Sequence, residues 1–161
     1  MQLPFDRKPV ASWCVFDWAN SPFPAVVLTF VIPASFADAV VKDPALAAEW
    51  WAIMTGVAAL AIAVLSPILR AIADQGRARK PWLILFTVIM AAGSLLLWFV
   101  KPDSSDATLL LVLVAVTVVA FELSMVFYNA LLPSLVPSNW LGRISGWAWG
   151  LGYIGGVGGL L

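Results

Sequence analysis

Two carboxylates lie inside long apolar stretches of this sequence, and they are its best candidates for chemistry. Asp17 is followed at i+3 and i+4 by Asn20 and Ser21, a spacing that places the three on one helix face. Glu122 shares a face with Asn129 at i+7. A charged carboxylate at the centre of a bilayer costs about 2.5–3.5 kcal/mol, so it should face protein or water. We take these five residues as candidates for a functional site. The alternative is a structural hydrogen bond between helices.

The elements that carry these residues are predicted to be membrane spans. The chain has 161 residues, is 62% hydrophobic and 11% charged, and has a mean hydropathy of +0.96. Soluble domains have about 25% charged residues. Five apolar segments, each long enough to cross a hydrocarbon core as a helix, are predicted near residues 12–37, 49–72, 82–100, 107–133 and 143–161. The predicted fold class is therefore an all-α polytopic transmembrane bundle.

The basic residues predict the orientation of the spans. Seven of the nine fall on one side, namely Arg7, Lys8, Arg70, Arg77, Arg79, Lys80 and Arg143, and only Lys42 and Lys101 fall on the other. The positive-inside rule then places the amino terminus in the cytoplasm, with the plasma (cell inner) membrane as the expected location. Several tryptophans, among them Trp13 and Trp98, lie near span ends and are expected to act as interfacial anchors.

Composition also limits the class of function. The net charge of zero gives no sign of a nucleic-acid partner. The chain has no His and one Cys, which excludes an internal disulfide and leaves no metal site of the usual Cys/His kind. A Ser–His intramembrane protease is impossible without His, and there is no paired-aspartate motif. We expect no enzyme activity and no cofactor.

The fifth span is rich in glycine at helical spacing. Glycines four residues apart occur at Gly142, Gly146 and Gly150, at Gly152 and Gly156, and at Gly155 and Gly159. Small residues at this spacing let two helix backbones approach closely. We expect close helix packing there. The alternative is that these glycines form a pivot about which helices slide.

Four stretches carry a resemblance to a known family. The loop Arg70-Ala-Ile-Ala-Asp74-Gln-Gly76-Arg77-Ala-Arg79-Lys80 resembles the major facilitator superfamily signature G-x-L-A-D-R-x-G-R-R/K. Phe16-Asp-Trp-Ala-Asn-Ser-Pro-Phe23, Tyr128-Asn-Ala-Leu-Leu-Pro133 and the span-five glycines that follow Gly142-Arg143 narrow the match. Together they are similar to the vacuole-effluxer-like branch, which includes autophagy-related amino-acid exporters. The resemblance covers nearly the whole chain and reaches the first five of twelve helices, so we expect an amino-terminal fragment.

The resemblance implies alternating access between two six-helix halves, with helices one and four lining the substrate path. Asp74, Arg77, Arg79 and Lys80 would form a cytoplasmic gating loop that pairs within itself and with the opposite half. A loop kept basic only for membrane orientation is the alternative. The expected partners are the bilayer, a small solute, protons and the remaining helices.

We therefore predict the amino-terminal part of a secondary transporter for a small polar solute, with amino acids as one option. Glu122 is the expected proton carrier, and Asp17, Asn20 and Asn129 are the expected solute contacts. A scaffold or assembly subunit that transports nothing is the alternative. Vesicle transport would separate the two.

Overall fold

The first apolar stretch forms one long helical path that widens twice from an α-helix into a π-helix. The computed structural model describes residues 4–75 and 79–161, and no strand occurs in those ranges. Helix α1 covers Arg7–Asn20 and is followed by a π-helical segment, Pro24–Phe30, by α2 over Val31–Ser35, and by a second π-helical segment, Phe36–Val41. The predicted span of 12–37 lies within this path.

The prolines explain why the first π-helical segment forms. Proline lacks an N–H and its ring crowds the preceding turn. The local backbone hydrogen bonds must therefore lengthen their spacing to five residues or be lost. The Val31 N–H donates to the Val26 carbonyl, five residues back, and the Thr29 hydroxyl donates to the Pro24 carbonyl at 3.1 Å. Both bonds lie within the widened segment, which therefore keeps donors for its carbonyls.

A tight turn separates this path from the next helix. Lys42 has a left-handed backbone (φ 59°), and its N–H donates to the Ala37 carbonyl at 3.0 Å. Asp43 then caps helix α3, Pro44–Gln75, by accepting from the N–H groups of Ala45 and Leu46. A carboxylate at this position satisfies N–H groups that have no partner within the helix.

The remaining helices follow the predicted order. Helix α4 covers Arg79–Leu97, a 3₁₀ turn over Ser104–Asp106 leads into α5, Ala107–Leu135, and a second 3₁₀ turn over Ser138–Trp140 leads into α6, Leu141–Gly158. The all-α prediction is confirmed. Within the described ranges, four helical stretches are long and apolar enough to cross a membrane: Arg7–Val41, Pro44–Gln75, Arg79–Leu97 and Ser104–Leu135. The fifth predicted span is the 18-residue helix α6, which is not among those four because glycine replaces much of its apolar side-chain mass.

The described residues divide into two compact units. The first unit contains the residues up to Val31 together with Tyr128–Leu161, and the second contains Ile32–Phe127. In the second unit, the rings of Trp82, Phe86 and Phe127 stack with centroids about 6 Å apart. Gly93 on α4 is buried against the Thr117 side chain of α5, so α4 and α5 approach closely there.

Candidate functional site

Helices α1 and α6 lie side by side in the first unit and run in the same direction. Near their amino-terminal ends, the ring of Phe5 meets that of Trp140 edge-on, at 5.2 Å between centroids. Further along, Gly152 lies against Asp17, and at the far end Gly159 lies against Pro22. Because contacts advance together along both helices, the pair is parallel, as expected for a first and a fifth span.

Little room for a side chain remains at two glycines of α6, Gly152 and Gly155, and at Gly159, one residue past its end. A Cβ on Gly152 would lie 2.7 Å from both the Asp17 Oδ2 and the Ser21 Oγ atoms. On Gly155 it would collide with the backbone carbonyl oxygen of Trp18, and on Gly159 it would lie 2.6 Å from the Cβ of Pro22. These contacts allow the backbones to approach more closely than side chains would permit.

The four glycines predicted to pack divide into two pairs. Gly155 lies on the α1 contact, and a Cβ on Gly156 would be 3.6 Å from the Ser21 carbonyl oxygen, an ordinary van der Waals distance. A Cβ on Gly146 or Gly150 would meet nothing within 4 Å among the described residues. A packing role for that pair stays a prediction.

The polar face of α1 is turned into this helix contact. Asp17 is 8% exposed and Asn20 is 6% exposed, while Ser21 is half-buried. Ser21 uses both its N–H (3.0 Å) and its hydroxyl (2.7 Å) to donate to the Asp17 backbone carbonyl. The Asp17 carboxylate and the Ser21 hydroxyl both lie against the backbone of Gly152, so their positions depend on how α6 packs on α1.

A reciprocal clamp joins α1 to the last part of α5, one helical turn before Asp17. The indole Nε1–H of Trp13 donates to the Tyr128 carbonyl at 3.0 Å, and the Tyr128 hydroxyl donates to the Trp13 carbonyl at 3.2 Å. The two rings stack at 4.3 Å with an interplanar angle of 4°, and Phe16 lies 5.2 Å from the Tyr128 ring.

The interpretation of Trp13 as an interfacial anchor is wrong, because its side chain is only 6% exposed. The helical spacing could have shown this, since Trp13 lies four residues before Asp17 and so shares its buried face. Its partner Tyr128 is distant in sequence and could not be identified from spacing alone.

Removing one hydroxyl should weaken this clamp without dismantling it. In Tyr128→Phe the stacked rings remain, but the hydrogen bond to the Trp13 carbonyl is lost. Such bonds within membranes contribute about 0.6 kcal/mol on average and at most about 1.7 kcal/mol. We expect a loss of free energy of unfolding in that range, measured by denaturant titration in detergent. Tyr153→Phe is the matched control, because Tyr153 is 67% exposed and should change little. An equal loss in both variants would contradict the clamp.

Glu122 and Asn129 lie on the opposite side of α5 from its buried residues. The helix buries Val114, Thr117, Ser124 and Phe127 but exposes Glu122 and Asn129. Glu122 and Asn129 thus form a polar stripe on α5 that no other part of the described chain covers. Glu122 and Asp17 belong to different compact units, so the expectation that one aqueous passage serves both stays a prediction.

In the predicted gating loop, one basic residue makes a defined local contact. The Nε–H of Arg79 donates to the Ala73 carbonyl at 2.8 Å, so Arg79 satisfies a carbonyl in the last turn of α3. Asp74 and Lys80 are exposed, and Arg77 lies outside the described residues. Arg79 therefore supports the helix end locally. Pairing of the loop with another half of the protein stays a prediction.

Asp103, in the loop before α5, is an exposed carboxylate whose charged form is stabilised by hydrogen bonds. The backbone N–H of Ser104, with the hydroxyls of Ser105 and Ser104, stabilises the charged form and lowers the pKa of Asp103. Asp103 therefore stays ionised near neutral pH and is a poor proton carrier. Across residues 4–75 and 79–161, no group of three His, Cys, Asp or Glu side chains could hold a metal.

Comparison with known proteins identifies the family. Residues 47–143 match the family described as "Vacuole effluxer Atg22 like". That range is more than half of the chain. The chain belongs to this family. The match includes Glu122, Asn129 and the α3–α4 loop, whereas Asp17 and Gly152 lie outside it.

A curated relative agrees with the assignment to the vacuole effluxer family. The uncharacterized MFS-type transporter YxiO of Bacillus subtilis (strain 168) is 33% identical over 151 residues, which is 92% of this chain and 35% of the relative. The chain thus spans about a third of that relative's length. No solved structure matches. The resemblance drawn from the sequence is confirmed, and this vacuole-effluxer-like chain is a multi-pass membrane protein of the MFS type.

Proposed function

We propose that the chain is the amino-terminal part of a secondary active transporter that moves a small polar solute by alternating access, with amino acids as the leading solute class. The amino terminus lies in the cytoplasm, the membrane is the plasma membrane, and protons are the coupling ion. The single observation that carries this proposal is a carboxylate exposed in the middle of an apolar helix.

Glu122 lies well away from both ends of α5. It is 15 residues after Ala107 and 13 before Leu135, or roughly 20 Å from either end at 1.5 Å per residue. A charged group at that depth is costly against lipid, so its exposed face has to meet water or further protein. Asn129 continues the polar stripe two turns along. A stripe of this kind suits the wall of a passage better than a surface against lipid tails.

The polar face of α1 supplies groups that an amino-acid solute could use. The Asp17 carboxylate can accept hydrogen bonds from an ammonium group, and the amide of Asn20 can donate to a carboxylate or accept from an amine. Both side chains are buried in the first unit, where the lower dielectric strengthens such contacts. Ser21 is less suited to a solute, because its hydroxyl already donates within α1.

The close α1–α6 contact supports a mechanism in which helices move as packed groups. At Gly152 and Gly155, α6 contributes no side chain to its contact with α1, and Gly155 lies directly against the α1 backbone. The two helices should therefore shift together when the transporter changes conformation. Because Asp17 lies on this contact, such a shift would carry its carboxylate with it. A solute bound at Asp17 would therefore move with α1 and α6 during alternating access.

Flux through sealed vesicles tests the proposal directly. Vesicles from cells that make the complete protein would be loaded with radiolabelled amino acids, with and without an imposed pH gradient, against vesicles that lack the protein. We expect protein-dependent flux that falls when an ionophore dissipates the gradient. Absence of flux for every solute under both conditions would contradict transport and favour the scaffold. Flux that ignores the gradient would contradict proton coupling alone.

A further inference from the structure

We propose that an aromatic–arginine cluster at the amino-terminal end of α6 binds the phosphate headgroup of an anionic phospholipid. The cluster consists of Phe5, Trp140, Arg143 and Trp147, all in the first unit. None of its residues is among those proposed to bind the solute or the proton, so the cluster does not depend on which solute the transporter carries.

The rings hold the guanidinium of Arg143 in place. Its Cζ atom is 4.6 Å from the centroid of the Trp140 ring and 5.8 Å from that of Trp147. The edge-on contact with Phe5, at 5.2 Å, supports the Trp140 ring in turn. Cation–π contact uses the flat face of a guanidinium and leaves its N–H edge available for a planar or bidentate acceptor. Arg143 is exposed and Trp147 is 55% exposed, so an acceptor can reach them.

Charge around the cluster favours an anion. Because α1 and α6 are parallel, Arg7 and Lys8 at the start of α1 lie at the same end of the first unit as Arg143. Both are exposed. The nearby acid, Asp6, accepts from the Lys8 backbone N–H as the cap of α1. Three cations and one carboxylate therefore lie at this end of the first unit, and the carboxylate already caps α1.

The indoles favour a lipid over a free anion. Tryptophan rings prefer the level of the headgroups, where one edge meets hydrocarbon and the N–H meets polar groups. An arginine fixed between two such rings is held at the depth of lipid phosphates. A soluble phosphate would gain the charge contact but nothing from the exposed ring of Trp147. The partner that matches both features is an anionic phospholipid.

Brominated lipids can test this contact through tryptophan fluorescence. The protein would be placed in nanodiscs of phosphatidylcholine with a minor fraction of brominated phosphatidylglycerol, or of brominated phosphatidylcholine in the matched sample. We expect stronger quenching by the brominated anionic lipid. Arg143→Gln should reduce the protein's preference for phosphatidylglycerol over phosphatidylcholine about fivefold. This is equivalent to the ~1 kcal/mol typical of one basic residue at an anionic surface. Arg143→Lys should retain part of the preference.

Lys101→Gln is the matched control, since Lys101 is an exposed basic residue in the loop before α5. It should leave the preference unchanged. Equal quenching by the two brominated lipids in the unaltered protein would overturn the proposal even if no variant folds. An unchanged preference in folded Arg143→Gln would also overturn it. Loss of the preference in millimolar inorganic phosphate would overturn it as well, because the cluster would then bind a soluble anion and not a lipid headgroup.

Discussion

Gly155→Ala should lower the free energy of unfolding of this chain by about 2 kcal/mol, although alanine is the better helix former. Alanine gains about 1 kcal/mol over glycine in a helix. Overpacking costs about 1–3 kcal/mol, and the upper end applies here because the added Cβ would collide with the Trp18 carbonyl oxygen. That oxygen belongs to the α1 backbone and cannot rotate away as a side chain could. The steric cost therefore exceeds the gain in helix propensity.

Gly150→Ala provides the control, because the same substitution in the same helix meets nothing within 4 Å. It should leave stability unchanged or raise it by up to about 1 kcal/mol. Thermal or denaturant unfolding of the purified protein in detergent would measure both variants. The informative result is the opposite sign of the two changes. Equal behaviour of Gly150→Ala and Gly155→Ala would show that α1 and α6 do not touch in the way described.

Glu122→Gln should abolish the part of transport that a pH gradient drives, while the complete protein stays folded. Glutamine keeps the shape and hydrogen-bonding capacity of the side chain but cannot bind and release a proton. If Glu122 carries the coupled proton, gradient-driven accumulation should disappear. Exchange of labelled for unlabelled solute, which needs no net proton movement, should persist. Proteoliposomes with the same lipid composition allow both measurements on one preparation.

Glu49→Gln is the matched control, since Glu49 is exposed near the start of α3 and can reach water. Its removal should alter neither accumulation nor exchange. Full gradient-driven accumulation by Glu122→Gln would remove the proton-carrier role. Loss of exchange together with accumulation would point instead to a role in binding the solute or in folding. The same pair of assays thus separates coupling from binding.

Hydropathy predicted the number and order of the long helices but shortened most of them. The second segment was predicted near 49–72, and α3 covers Pro44–Gln75. The difference arises because a hydropathy pattern ends where charged residues begin, whereas helical backbone hydrogen bonding continues into the polar residues on either side. The cap at Asp43 is the true start of that helix. The hydropathy pattern ends the fourth segment at Pro133, yet α5 continues to Leu135.

The site was less predictable than the helices because its geometry depends on contacts between distant segments. The shared face of Asp17 and Asn20 follows from helical periodicity. That this face meets glycine backbone of α6 does not, because Gly152 and Gly150 look alike in sequence and only one lies against α1. The Trp13–Tyr128 clamp joins residues more than a hundred positions apart. No local pattern carries that information.

The parallel pairing of α1 with α6 has a consequence for biosynthesis. Gly152 emerges from the ribosome about 135 residues after Asp17, which at 5–20 residues per second is a delay of roughly 7–27 s. During that interval the nascent first helix has to reside at the translocon or in lipid with its carboxylate uncovered. An insertase or chaperone that shields acidic membrane helices would find its substrate in that window.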